Sequence, residues 1–311
     1  MYEDFYGLQS KPFSIQPDPD FLYWGRTHSM AYAMLEYGVM NHAGFTVITG
    51  EIGCGKTTLI RHLLNRLEDN YTIGLVSNIQ GGELLKWVLS AFDQPYEGDS
   101  QVALHDQLQK FLIDQYADGK QTILIVDEAQ NLGPKLLEQL RLLSNINADS
   151  DQLLQLILVG QPQLKDLLQS PELIQFAQRV ASDFHVLPLT LQDVKDYVQH
   201  RLVTAGRTEP LFTDVACEHI FEASRGVPRI INILCDTCLV YGFAQMAEEI
   251  DSSIVDEVIE DKKEHGVFKL GEAVSAPKKS PIEAGKDDED EPALIIRDKE
   301  LAKLLLEKLQ N

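Results

Sequence analysis

Basic residues are scarce in this chain. Only 27 Lys and Arg stand against 48 Asp and Glu among 311 residues, a formal net charge of −21. That balance argues against broad binding to nucleic acid or to an anionic membrane surface, and leaves room only for a local basic patch. Cysteine is sparse too, at four residues, which excludes a disulfide-stapled scaffold and fits a reducing compartment. Long apolar runs are missing. Stretches such as "TILIV" fall far short of the ~20 residues that cross a bilayer. The start "MYEDFYGL" has no basic segment ahead of an apolar core, so the expectation is a cytoplasmic chain without direct membrane insertion. The eight histidines show no metal-ligand spacing, and no internal repeat is found.

What is present is an alternation of short β-branched runs with longer amphipathic stretches. Candidate strands are Phe45–Gly50, Thr72–Ser77, Thr122–Asp127, Leu154–Gly160 and Phe184–Leu189. Nearly uninterrupted apolar runs of this length suit strands covered on both faces, so the fold class is α/β, a doubly wound parallel sheet with helices on both faces. After "LPLT" the strands stop, and residues 191–265 read as a small all-helical domain behind an α/β domain at 1–190. Gly206 and Gly226 stand where helices should end, Thr213 and Asp251 where helices should begin. Residues 266–296 are rich in Pro, Gly, Lys and acid, the composition of a disordered acidic linker. Residues 297–311 recover helical spacing, with Leu301, Leu304, Leu305 and Leu309 on one face. Such a helix either caps its own domain or docks on a protein partner.

The stretch "GEIGCGKTT" carries the chemistry. Gly50, Gly55, Lys56 and Thr57 satisfy the G-x-x-x-x-G-K-[ST] pattern between a strand and a helix. Glycines let backbone N–H groups face a phosphate, and the helix N-terminus adds positive potential. The nucleotide-binding residues are therefore Gly50, Glu51, Ile52, Gly53, Cys54, Gly55, Lys56, Thr57 and Thr58. Lys56 would bridge the β- and γ-phosphates, and the Thr57 hydroxyl would hold Mg²⁺. In "ILIVDEAQ" a buried strand ends in Asp127, placed to contact Mg²⁺ through water, and Glu128 follows it, placed to activate an attacking water. Adjacent acids there favour hydrolysis over transfer to a small molecule. The Asn-Lys-x-Asp guanine reader of GTPases does not occur, and there is no room for the second α/β lobe of a helicase. Gln161, after strand "LQLILVG", is either a γ-phosphate sensor or a satisfied turn residue. Arg229 follows Pro228 at a helix start, where a cation opposes the helix dipole, so the placement points to an anionic partner such as a nucleotide phosphate.

Together these residues resemble the AAA+ ATPase family: a phosphate loop, an Asp-Glu strand, a polar sensor and a helical lid carrying a sensor arginine. Within it the sequence is similar to the ExeA-like, or general secretion pathway A-type, ATPases. The segments "FYGLQSKPFSIQPDPDFLY", "ILIVDEAQNL", "LEQLRLLSNIN", "LILVGQPQL" and "GVPRIINILC" carry that likeness across about residues 1–263. The resemblance implies ATP with Mg²⁺ and a piece around Pro12 and Phe13 that covers the adenine. It also implies an arginine finger acting on a neighbouring subunit of a homo-oligomer, with Arg179 the choice and Arg141 its rival. Further, it implies a role in assembling a cell-envelope system for secretion, pili or exopolysaccharide export, at the inner membrane through partners. Longer family members carry a membrane segment and a peptidoglycan-binding region; here an acidic linker and short helix stand in their place. Two other readings remain open, a DNA-associated regulator of the transposition or replication-initiation type and a slow nucleotide-dependent scaffold. Cys235 and Cys238 form a C-x-x-C in an apparent helix without further ligands, and His185 alternates with apolar residues in a strand, so both read as structural.

Overall fold

In chain order the strands are β1 (Phe45–Gly50), β2 (Tyr71–Ser77), β3 (Gln121–Asp127), a two-residue hairpin of β4 (Asn147–Ala148) and β5 (Asp151–Gln152), β6 (Leu154–Gly160) and β7 (Val180–Val186). The computed structural model describes residues 1–265, apart from 17, 78, 80–82, 99 and 149–150, together with 295–296. Five strands lie side by side in the order β7-β1-β6-β3-β2, and every pair among them is parallel. The chain therefore leaves β1, crosses to β2 at the far side, works back through β3 and β6, and ends on β7 beyond β1. In such sheets ligands bind outside the carboxyl ends, where the winding reverses.

Alternate residues of the central strands serve two separate cores. Leu124, Val126, Leu154, Leu156 and Leu158 face the side covered by α4 (Leu84–Ala91), α5 (Gln101–Ala117), α6 (Gly133–Leu143), α7 (Pro162–Leu168) and α8 (Ile174–Ala177). Ile123, Ile125, Ile157 and Val159 face α2 (Arg26–Met40) and α3 (Lys56–Arg66). Double coverage explains the unbroken apolar runs, since neither face of these strands meets water. Truncating one of these fully buried leucines to alanine costs about 2–5 kcal/mol.

The fifth strand differs from expectation. It spans Val180–Val186, not Phe184–Leu189. Pro188 has no N–H to give a ladder, and β7 is an edge strand whose burial alternates, with Ser182 and Val186 inward and Asp183 outward. An edge strand covered on one side alternates instead of running apolar throughout. Ile295–Ile296 also depart from the expected linker: they form β8, antiparallel to Leu75 and Val76 of β2. The rest of that linker and the expected terminal helix 297–311 lie outside the described residues.

The second body comprises α9 (Leu191–Thr204), α10 (Asp214–Ser224), α11 (Pro228–Ala244) and α12 (Ser252–His265) around one core. Its starts are locally encoded. Thr190 and Asp193 form a reciprocal capping box on α9, Thr213 accepts from Ala216 N–H, and Asp251 accepts from Ile254 N–H. Tyr2, Tyr6, Leu8 and Phe13, though first in the chain, belong to this helical core and not to the sheet. No helix among the described residues is long and apolar enough to cross a membrane.

Candidate functional site

The loop from β1 to α3 is shaped by two glycines in left-handed conformation, Gly53 at φ 84° and Gly55 at φ 87°. L side chains rarely adopt that backbone, which is why the pattern demands glycine at 55 and why glycine also stands at the variable position 53. Lys56 is buried and folds back over the loop, its Nζ donating to Gly50 O at 2.8 Å and Glu51 O at 3.0 Å. Burial pulls its ammonium below the usual lysine range, opposed chiefly by electrostatic interaction with Cys54, Glu128 and Asp127. His28 of α2 supports the loop from behind, with Nε2 2.8 Å from Cys54 O.

Sheet order delivers the acids. β3 is two places from β1, and Asp127 at its end lies in register with Ser77 at the end of β2. Withdrawal from water pushes the Asp127 carboxyl up to about 6, partly opposed by the N–H of Glu128, which donates to Oδ1 at 2.9 Å. A cation beside it would restore the charged form, and Asp127 with the Thr57 hydroxyl supplies the hard oxygen donors that suit Mg²⁺. Glu128 sits at φ 51°, a left-handed conformation costing a non-glycine residue about 1 kcal/mol or more. Its Oε2 accepts from Gln161 Nε2 at 2.9 Å and Gln130 Nε2 at 2.5 Å.

One cleft of about 450 Å³ runs from the phosphate loop to the helical body. Ile52, Gly53, Gly55, Lys56, Thr57, Thr58, Asp127, Glu128 and Arg229 line it. Arg229 comes from the first turn of α11, and its backbone N–H donates to Gly53 O at 3.2 Å, so the helical body rests on the phosphate loop. Gly50, Glu51 and Cys54 shape the loop without lining the cleft; the Cys54 side chain faces the core beneath α3. Gln161 is nearly buried and reaches the cleft only through Glu128.

Phe13 is placed otherwise than expected. It is 1% exposed in the helical core, edge-on to Phe212, and the neighbouring Ser14, Ile15 and Gln16 line the cleft instead. A large apolar ring gains more from that dry core than from a half-open mouth. Arg179 lies outside the cleft, on the surface, held by Ser144 Oγ at 3.2 Å and by Asn145 Oδ1. Arg141 grips Glu138 through two nitrogens. Cys235 and Cys238 are buried in the helical core, and no metal-binding cluster occurs among the described residues. His185 Nδ1 is 2.9 Å from Thr49 Oγ1, a cross-strand contact.

Three residues at the far end of the cleft went unread in the sequence: Tyr197, Arg201 and Asn232. Arg201 Nε donates to Pro12 O at 2.5 Å and a second nitrogen to Ser14 O at 3.0 Å, while Asn232 accepts from Tyr197 OH at 2.8 Å. Val194, Tyr197, Val198, Arg201 and Leu202 are the buried positions of α9, so an arginine on an otherwise apolar stripe was the available signal.

A glycine-bent phosphate loop at a central parallel strand, with paired acids two strands away and a helical lid seated on the loop, defines a P-loop protein of the AAA+ class. A family model described as "AAA domain" matches residues 39–168. General secretion pathway protein A of Aeromonas hydrophila is 40% identical over 277 residues, 87% of this chain. The chain spans about half the length of that curated relative, at 51%. Among solved structures, the Aeropyrum pernix ORC2 protein in ADPNP–ADP complexes matches with TM-score 0.59 at 15% identity, over 81% of this chain and 72% of that one. CDC6P from Pyrobaculum aerophilum matches with TM-score 0.56 at 17% identity, over 77% of this chain and 67% of that one. Both are likenesses of fold alone. The chain is thus similar over most of its length to a general secretion pathway A protein, and an AAA domain matches its core.

Proposed function

We propose that this chain binds ATP with Mg²⁺ in the cleft and hydrolyses it to drive or time a conformational change in the assembly of a bacterial cell-envelope system. The observation that carries the reading is the meeting of Lys56 with Asp127 and Glu128, from two separate segments, in one cleft roofed by Arg229 from a third. Lys56 trades its two loop carbonyls for phosphate oxygens. Thr57 and Asp127 would hold the metal, which would supply neutralising charge to those oxygens. Glu128 takes the proton of the attacking water. Gln161 and Arg229 sense the terminal phosphate from the sheet and from the lid, so its loss releases the lid from the loop, a hinge movement.

Arg179, exposed and in no carboxylate ion pair among the described residues, though its charge reaches Glu138, is proposed to complete the site of a neighbouring copy in an ATP-dependent homo-oligomer. The protein whose sequence is 40% identical is named for the general secretion pathway, which supports an envelope role and peripheral placement at the inner membrane through a protein partner. The division into an α/β domain at 1–190 and a lid at 191–265 remains part of this proposal, with residues 1–13 joining the lid.

Titration calorimetry and phosphate release on two variants test the reading. Lys56→Ala should abolish ATP binding, whereas Glu128→Gln should bind ATP and lose turnover. Wild-type affinity in Lys56→Ala, or unchanged turnover in Glu128→Gln, would contradict it. Light scattering on Glu128→Gln with and without Mg·ATP tests the assembly. An oligomer that disappears with Arg179→Ala supports a finger in trans, and a monomer under every condition removes it.

A further inference from the structure

Glu128, Gln130 and Gln161 close a ring of hydrogen bonds. Gln161 backbone N–H donates to Gln130 Oε1 at 3.0 Å, Gln130 Nε2 donates to Glu128 Oε2 at 2.5 Å, and Gln161 Nε2 donates to the same Oε2 at 2.9 Å. The orientation of the Gln130 amide is therefore determined: a backbone N–H needs its oxygen, so its nitrogen must face the carboxylate. The ring is also sterically built in. Gly160 ends β6 directly beside it, and a Cβ there would come within 2.8 Å of Gln130 Oε1. Gln130 itself stands in the short turn Ala129–Asn131 that follows the strained Glu128.

Two donors converge on one oxygen of Glu128, and they are not equivalent. A terminal phosphate arriving in the cleft would compete for Gln161 Nε2, the same amide that holds Glu128. Gln130 faces no such competition, because its oxygen is tied to a backbone N–H and its nitrogen has no other acceptor in the ring. We propose that Gln130 is a positioning residue that keeps the Glu128 carboxylate aimed at the attacking water once Gln161 has turned to the phosphate. This rests on the hydrolytic reading above. Holding Oε2 from behind leaves Oε1 to take the proton. A glutamine that only tied the end of β3 to the end of β6 would stabilise the fold and leave the base alone.

The test uses the full chain and five proteins: wild type, Gln130→Met, Gln130→Glu, Glu128→Gln and the Gln130→Met/Glu128→Gln double variant. Methionine keeps the length of the side chain and removes both hydrogen bonds. Steady-state turnover gives kcat and KM, single-turnover mixing gives the residual rates, and calorimetry gives ATP affinity. Gln130→Met should lower kcat by roughly 10- to 100-fold, the scale expected when a catalytic group loses its aim, with ATP affinity within about twofold of wild type. In the Glu128→Gln background the same substitution should cost nothing further, because groups acting as a unit are not additive. Gln130→Glu, which sets an acceptor against an acceptor, should lose at least as much as Gln130→Met. Wild-type kcat in Gln130→Met overturns the inference, as does an equal fold-loss in the presence and absence of Glu128. A wild-type chain that binds ATP and never turns it over overturns the hydrolytic reading, and this inference with it. Turnover that survives Gln130→Met undiminished overturns this inference alone.

Discussion

Replacing Arg201 with methionine tests how the N-terminal segment is held over the cleft. Arg201 is 6% exposed, and its guanidinium carbon lies 4.6 Å from the Phe21 ring centroid and 5.7 Å from that of Tyr197. Its hydrogen-bond acceptors are the Pro12 and Ser14 carbonyls, and among the described residues it has no carboxylate within ion-pair distance. Methionine fills most of the same volume, so the main loss is the buried Pro12 carbonyl left without a donor, about 1–3 kcal/mol, while Ser14 O keeps Asn232 Nδ2 at 3.4 Å. The charge stacked on Phe21 and Tyr197 adds about 1–2 kcal/mol. Against this stands the relief of no longer burying a cation, several kcal/mol in general. The net expectation is a loss of about 2–3 kcal/mol, which lowers the thermal midpoint by roughly 5–10 °C for a domain of this size. Ser14, Ile15 and Gln16 line the cleft and lose their anchor in the variant, so ATP affinity should fall about tenfold, equivalent to 1.4 kcal/mol. Differential scanning calorimetry reads the first number and titration calorimetry the second. A midpoint within about 2 °C of wild type would show that the Pro12 carbonyl finds another donor. Unchanged ATP affinity with a lowered midpoint would show that the segment stabilises the lid without shaping the cleft.

Other expectations follow from single contacts. Gly226→Ala places a Cβ 2.0 Å from Leu189 O at φ 74°, between α10 and α11, and should cost about 3 kcal/mol or more; a wild-type thermal midpoint would contradict that backbone. Gly53→Ala drives a Cβ to 2.6 Å from that of Arg229 and should weaken ATP binding about tenfold or more, whereas unaltered affinity would mean the lid does not rest on the loop. All four thiols are buried, and burial pushes Cys238 up to about 12 and Cys54 and Cys217 to about 11. None should react with an aromatic disulfide at about pH 8 until the chain is unfolded, and rapid labelling of the native protein would refute that burial.

The parts of the site legible in the sequence are those encoded within a few residues. Gly50, Gly55, Lys56 and Thr57 reveal the loop, Gly55 because left-handed backbone nearly requires glycine, and Thr213 and Asp251 reveal helix starts because capping is a contact across three residues. The central strands announced themselves because both faces are covered, so their apolar runs are uninterrupted. β7 did not, since an edge strand covered on one side carries Ser182 and Asp183 where a run was sought.

What the sequence determined by itself is thus a parallel α/β sheet, a phosphate loop, a pair of acids at a strand end and a helical second body. Tertiary structure alone decided which residues surround them. Sheet order brings Gly160 and Gln161 of β6 and its exit alongside Glu128 and Gln130 after β3, closing a ring between residues 31 to 33 positions apart. Folding returns residues 1–13 to helices almost 200 positions later, where Arg201 holds Pro12 and Ser14 and Phe13 goes to the core. The reason is physical: a turn or a cap is settled by neighbouring dihedrals, whereas a buried polar side chain takes whichever partner the packed layers bring within reach, and no local pattern records that choice.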